Sequence, residues 1–75
     1  MAMREGEQVR AAREKKGLSV EETAEGIGME PKRLMEIEAC EDIADLLEIA
    51  MLMAFLGFHL VAPAMTIAEY LPGNF

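Results

Sequence analysis

The chain has very few of the residues on which metal sites and covalent catalysis depend. Its 75 residues include one cysteine, Cys40, and one histidine, His59. A single cysteine excludes an internal disulfide and is typical of a reducing compartment. One thiol and one imidazole provide no zinc-ligand spacing, and no glycine-rich loop is present for a phosphate. We therefore expect a protein that is not an enzyme and that uses no metal or cofactor.

Basic residues are missing from the whole second half of the chain. There are 14 Asp and Glu against seven Lys and Arg, a net charge of -7. Residues 1 to 40 hold nine acids and all seven bases, whereas residues 41 to 75 hold five acids and no base. General nucleic-acid binders are usually basic, so the composition argues against one. Any phosphate-facing surface must come from the N-terminal half, where the bases are Arg4, Arg10, Arg13, Lys15, Lys16, Lys32 and Arg33.

The sequence shows no targeting segment and one candidate membrane span. No apolar leader with a cleavage site opens the chain, so we expect a cytoplasmic protein. Residues 49 to 68 carry no formal charge over a length that spans a bilayer. Gly57, His59 and Pro63 interrupt this run, and no basic residue flanks it directly. We therefore expect this run to be used for packing and not for membrane insertion.

The length predicts a single domain over residues 1 to 75, without repeats or linkers. A chain this short buries only roughly 60% of its unfolded surface, which makes a monomer marginal. Additional burial against a second copy is therefore expected.

The central stretch, residues 17 to 38, predicts two short helices joined by a tight turn. Ser19 followed by Glu22 forms a capping box, which favours a helix over about residues 19 to 27. Gly28 suits the left-handed backbone that ends a helix, and Pro31 suits the first turn of the next helix, over about residues 30 to 38. Two helices joined by three or four residues are what a helix-turn-helix requires.

Two further helices flank this pair. Residues 4 to 16 predict a charged first helix that ends at Gly17. The acids at positions 41, 42 and 45 suit the start of a fourth helix, which should end at Gly57. After Glu48 this helix is apolar all round, so we expect it to be buried on every side. Residues 58 to 62 fit a short strand, and we favour a fifth helix after Pro63, at about residues 64 to 70.

At this point the sequence resembles the phage repressor and Cro-like, or Xre-like, helix-turn-helix family. That family carries a pattern close to R-x-x-x-G-L-S-Q-x-x-L-A-x-x-x-G-V-S-x-x-x-I-S-x-x-E, and the resemblance covers about residues 7 to 60. The residues that match at the same spacing are Arg13, Gly17, Leu18, Ser19, Ala24, Gly28, Leu34 and Glu38.

The resemblance implies an all-α, lambda-repressor-like bundle of about five short helices that binds duplex DNA as a homodimer. Arg13 and Glu38 would form an ion pair between the first helix and the end of the third. DNA-binding residues would be Ser19, Lys32, Arg33 and Glu36, and a basic strip on the first helix adds Arg10, Lys15 and Lys16. The apolar C-terminal part, about residues 43 to 71, would complete the core and supply a dimer interface that includes Leu52, Phe55, Phe58, Leu60 and Met65.

Three departures from the family pattern motivate a second hypothesis. Val20 replaces a glutamine that donates to phosphate, Glu30 replaces a Ser or Thr cap, and residues 39 to 42 replace a glycine and a basic loop. The leading hypothesis is a sequence-specific transcriptional regulator. The alternative is an acidic protein-interaction module, such as an antirepressor, inhibitor or antitoxin, that keeps the fold without binding DNA.

Overall fold

The fold is all-helical, as the sequence predicts. The computed structural model describes residues 3 to 60, which form α1 (Glu5–Lys15), α2 (Val20–Ile27), α3 (Pro31–Glu38) and α4 (Leu46–Leu56), with no strand in this range. Residues 58 to 60 are neither helix nor strand. The expected fifth helix and Met65 lie outside the described residues. No helix within residues 3 to 60 combines the length and apolarity needed to cross a bilayer.

Side-chain caps and left-handed glycines determine where α2 begins and ends. The Ser19 hydroxyl accepts the Glu22 N–H at 3.0 Å, and the Glu22 carboxylate accepts the Ser19 N–H at 2.8 Å, which completes the predicted capping box. Gly28 ends α2 at φ 70°, a conformation that costs other residues free energy. Pro31 then starts α3 after a very short turn, and the two helices pack against each other.

The fourth helix begins later than its run of acids suggests. Asp45 caps it, accepting the Glu48 N–H at 2.8 Å, while the Glu48 carboxylate accepts the Asp45 N–H. Glu41 and Asp42 lie before the helix rather than in its first turn. Gly57 ends α4 as expected.

Apolar residues from all four helices form the core. Leu34 and Ile37 of α3 point inward, as their spacing predicts, and are fully or almost fully buried. The first cluster joins α1, α2, α3 and α4, and the second lies where α3 meets the start of α4. The buried members of the first cluster are Val9, Ala24, Leu34, Leu52 and Leu56, and those of the second are Ile37, Ala44 and Ile49.

The expectation that α4 is buried on every side is wrong within the described residues. Its inner side, with Ile49, Leu52 and Leu56, is buried against α1 and α2. Its other side faces solvent, with Leu46 86% exposed and Leu47 68% exposed. The three neighbouring short helices cover only one side of α4. The helix therefore has more apolar side chains than this core buries.

The first and third helices approach unusually closely at Gly6. A Cβ atom added at this position would overlap the carbonyl oxygen of Ile37. Only glycine allows this crossing, because any side chain would push α1 away from α3. The sequence shows a glycine inside a predicted helix and does not identify the neighbour that requires it.

The structure brings Arg13 and Glu38 together in a two-pronged ion pair. Arg13 Nε donates to Glu38 Oε2 at 2.7 Å, and Arg13 Nη2 donates to Glu38 Oε1 at 2.9 Å. The third guanidinium nitrogen donates to the Leu18 carbonyl at 2.8 Å. The side chains are only 12% and 7% exposed. The pair therefore joins α1 to the end of α3 and also holds the connection between α1 and α2.

One non-glycine residue in the described range adopts a left-handed backbone. Cys40, directly after the cap of α3, has φ 59°. Left-handed backbone costs L-residues with a Cβ roughly 1 to 2 kcal/mol. The chain therefore carries local strain directly after α3.

Replacing Glu38 with Ala should lower the free energy of unfolding by about 3 kcal/mol, because it leaves the Arg13 charge buried without its partner. Chemical denaturation monitored by circular dichroism measures this change. The matched control is Glu14→Ala, which breaks the exposed Arg10–Glu14 pair at 3.2 Å and should cost under about 1 kcal/mol. Equal effects of the two variants would contradict the role of burial.

Replacing Cys40 with Gly should raise the free energy of unfolding by about 1 kcal/mol, because glycine adopts positive φ without the steric cost. The same denaturation experiment tests it. Ala39→Gly is the control, since Ala39 has a right-handed backbone at φ -80° and the change should destabilise the protein. A loss of stability in Cys40→Gly would show that thiol packing outweighs backbone strain.

Candidate nucleic-acid interface

The surface that α2 and α3 present to solvent carries one unpaired base among several acids. Lys32, in the first turn of α3, is exposed and forms no ion pair with the described residues. Pro31 and Met35 are exposed beside it on the same helix. The exposed acids around the two helices are Glu21, Glu22, Glu25 and Glu30. The phosphate backbone of a nucleic acid would therefore meet one positive side chain, Lys32, surrounded by negative ones.

Ser19 and Val20 occupy the start of α2, where the resemblance implies phosphate contacts. The Ser19 oxygen accepts a backbone N–H, so its hydroxyl hydrogen stays available to a phosphate oxygen. Val20 is half-buried and packs against the first core cluster. Its apolar side chain thus has a structural use that a glutamine would not satisfy as well.

Arg33 is placed inside the protein's own ion network rather than at a free surface. Its Nε and Nη2 donate to the two Glu48 carboxylate oxygens at 2.8 and 2.9 Å. Its Nη1 donates to Asp42 at 2.8 Å, and Glu36 lies 3.7 Å from the same nitrogen. A DNA phosphate would have to compete with these carboxylates. The expectation that Arg33 is available for DNA is therefore wrong. Glu36, which was also predicted to bind DNA, belongs to the same ion network.

The ion pairs of Arg33 lower the pKa values of Asp42 and Glu48. The hydrogen bond from Arg33 lowers the pKa of Glu48, and the backbone N–H of Asp45 lowers it further. The pKa of Asp42 is lowered first by Arg33 and then by the Ile43 N–H. The two carboxylates in turn raise the pKa of the Arg33 guanidinium. All three groups are charged at neutral pH, and the network joins α3 to the segment that starts α4.

Sequence patterns did not indicate this network. Arg33 and Glu48 are separated by fifteen positions, outside the three-residue and four-residue spacings that pair side chains on one helix. The available signal was the absence of any Lys or Arg after Arg33, because any ion pair of Glu48 with a base must then involve an earlier helix.

The basic strip of α1 divides into a paired arginine and two free lysines. Arg10 donates to Glu14 on the exposed surface of α1 at 3.2 Å. Lys15 and Lys16 are exposed and form no ion pair with the described residues. They border a cavity of about 280 Å³ at the end of α4, together with Leu56, Gly57 and Phe58. A Cβ at Gly57 would lie 3.7 Å from Lys16 Cε. Both lysines therefore lie near the negative end of the α4 dipole.

The residues predicted to form a dimer interface occupy three different environments. Leu52 is fully buried in the core of its own chain, so its assignment to the interface is wrong. Phe58 and Leu60 are half-buried and pack against the first and second clusters, respectively. Phe55 is 39% exposed, and its ring lies over Gly26 of α2. The sequence shows that α4 is apolar, but only the packing of the helices decides which of its sides faces inward.

Lowering the pH should destabilise the protein through the Arg33 network. A carboxylate whose pKa is lowered by folding stabilises the folded state above its unfolded pKa, and this contribution is lost as the pH falls through the folded pKa. For Glu48 the loss begins near its ordinary value of 4.5 and continues below it. Urea denaturation between pH 7 and pH 3 measures the effect.

The matched variant is Glu48→Gln, which retains an oxygen that can accept the Asp45 N–H and removes the charge that Arg33 binds. It should be less stable than the parent at pH 7 and should lose less stability on acidification. Parallel pH profiles for the two proteins would contradict the importance of this network.

The chain was compared with protein-family models, with curated proteins and with solved structures, and none of them matches.

Proposed function

We propose that this protein is a DNA-binding transcriptional regulator of the helix-turn-helix type, which acts as a homodimer with α3 of each subunit in the major groove. The observation that carries the proposal is the arrangement of α2 and α3. Gly28 joins them through a tight turn, Leu34 and Ile37 anchor α3 in the core, and Lys32 in its first turn faces solvent. This arrangement suits a helix that is held from behind and reads base edges from its N-terminal end.

Lys32 and Ser19 supply the central contacts in this proposal. Lys32 donates to a phosphate or to a guanine edge, and the Ser19 hydroxyl donates to a phosphate at the start of α2. Lys15, Lys16 and Arg10 add phosphate contacts, with Arg10 first leaving Glu14. Glu36 would accept from cytosine only after separating from Arg33, and Arg33 itself maintains the orientation of α3.

The number of free bases bounds the strength of this interaction. Lys15, Lys16 and Lys32 form no ion pair with the described residues. These three lysines neutralise about three phosphates, which corresponds to a salt slope of about -3 per subunit. The acids on α2 and at Glu30 reduce the attraction further. Binding by one subunit is therefore weak, and useful affinity requires two subunits on adjacent half-sites.

The engagement of Arg33 favours a second candidate function, the acidic protein-interaction module. Near α3 this surface has one base, Lys32, that forms no ion pair with the described residues, and it exposes Glu21, Glu22 and Glu25. Such a surface suits a basic protein partner as well as it suits DNA. In that case the helical pair serves as a rigid acidic scaffold, and its partner is another regulator or a toxin.

Binding to a random-sequence pool of labelled DNA duplexes tests the proposal, because it does not require knowledge of the operator. Fluorescence anisotropy between about 50 and 200 mM salt should show weak binding with a negative salt slope. Lys32→Ala should weaken binding to all duplexes and reduce the magnitude of the slope by about 1 per subunit. Glu30→Ser should strengthen binding, because it removes a negative charge and supplies the side-chain cap that α3 lacks.

Arg4→Ala is the charge-matched control for Lys32→Ala, because Arg4 lies at the opposite end of α1 from Lys15 and is paired with Glu7. It should leave the affinity nearly unchanged. If neither the parent protein nor Glu30→Ser binds any duplex near 50 mM salt, while both are folded by circular dichroism, the DNA proposal fails and the interaction module replaces it.

A further inference from the structure

One side of α4 is apolar and largely exposed in the described part of the chain, with only the Phe55 ring lying over Gly26 of α2. Two rows at four-residue spacing form this side, so their members share one helix face. Apart from Met51, which is half-buried, all are exposed, and no charged residue follows Glu48 in the helix. We call this surface the outer face of α4; it consists of Leu46, Leu47, Ala50, Met51, Ala54 and Phe55.

The middle of the outer face is shaped for a close neighbour. Ala50 and Ala54 are exposed there, and their small side chains allow another helix to approach within about 8 to 10 Å. Leu47 and Phe55 stand on either side along the helix, where they can pack beside such a neighbour. Contiguous apolar surface of this kind is uncommon on monomeric proteins and marks a contact surface.

Exposed charges of opposite sign lie beside the two ends of α4. Glu41 and Asp45 are exposed near its start, and neither forms an ion pair with the described residues. Lys15 and Lys16, which are also unpaired within the described range, lie beside its end at Leu56 and Gly57. The helix between them is about 16 Å long. The outer face therefore lies between an acidic end and a basic end.

We propose that a second copy of the chain covers this surface, with its α4 antiparallel to the first. A two-fold axis near Ala50 and Met51 then brings the acidic end of each α4 to the basic end of the other. A parallel arrangement would instead place acids beside acids. The charge pattern thus selects both the partner and its direction, whereas the apolar side chains supply most of the buried area.

This inference deepens the proposed function, which requires a dimer, but its tests contain no DNA. Sedimentation equilibrium at micromolar concentrations should give a reversible dimer. Leu47→Glu should weaken dimerisation at least about tenfold, because it places a carboxylate in the apolar contact. Since Leu47 is 68% exposed, this change leaves the core of the chain intact.

Met35→Glu is the matched control. Met35 is another exposed apolar residue, at 55%, and it lies on α3 rather than on the outer face of α4. The change adds the same charge and should alter the dimer dissociation constant less than about twofold. Circular dichroism verifies that both variants keep the helical content of the parent.

Cross-linking determines the direction of the two helices. Leu47→Cys and Ala54→Cys, each combined with Cys40→Ser, are mixed in equal amounts and oxidised. An antiparallel pair places position 47 opposite position 54, so the mixed disulfide should exceed either homodimeric disulfide. A parallel pair would favour 47 with 47 and would overturn the proposed direction.

The remaining outcomes are equally decisive. A folded monomer at all concentrations would overturn the proposal. A dimer that Leu47→Glu does not weaken would also overturn it, because the contact would then lie elsewhere. Neither result tests binding to duplex DNA, which the anisotropy experiment measures separately.

Discussion

The ion pair between Arg13 and Glu38 is the constraint on which the arrangement of the helices depends. Its bidentate geometry fixes both the distance and the orientation of α1 relative to the end of α3. The third bond from Arg13, to the Leu18 carbonyl, holds the connection that leads into α2. Because both charges are largely removed from water, neither is stable without the other. The position of α3 relative to α1 and α2 therefore follows from this one contact together with the apolar core.

A second arginine uses the same chemistry at the other end of α3, with a different consequence for function. Arg33 binds Glu48 and Asp42 and so orders the segment between α3 and α4. This stabilises the connection to α4 and leaves Lys32 as the one base of α3 that forms no ion pair with the described residues. The acids of α2 and Glu30 surround it. The arrangement of the helices and the surface charge thus favour different proposals, and duplex binding is the measurement that separates the two candidate functions.

The proposed assembly rests on an excess of apolar surface in a short chain. The core uses only the side of α4 that carries Ile49, Leu52 and Leu56. The outer face remains exposed, and in the proposed dimer an antiparallel second copy covers it and matches unlike charges at its ends. Each subunit has about three bases that form no ion pair with the described residues, so pairing would also double the number of phosphates that one complex of the proposed regulator meets. The proposed dimer and the proposed DNA binding are thus linked physically, although each is measured separately.

Local patterns in the sequence determined most of the secondary structure. The Ser19 capping box, the glycines at 28 and 57 and the inward spacing of Leu34 and Ile37 act within a few residues, so they are visible without the fold. The resemblance to a known family also pointed to Arg13 with Glu38. Other features depend on residues far apart in the chain: the close approach at Gly6, the capture of Arg33 by Glu48, the burial of Leu52 and the exposure of Leu46 and Leu47. The tertiary structure alone decided these, because the inner side of a uniformly apolar helix, or the partner of a charged side chain, depends on which elements pack beside it.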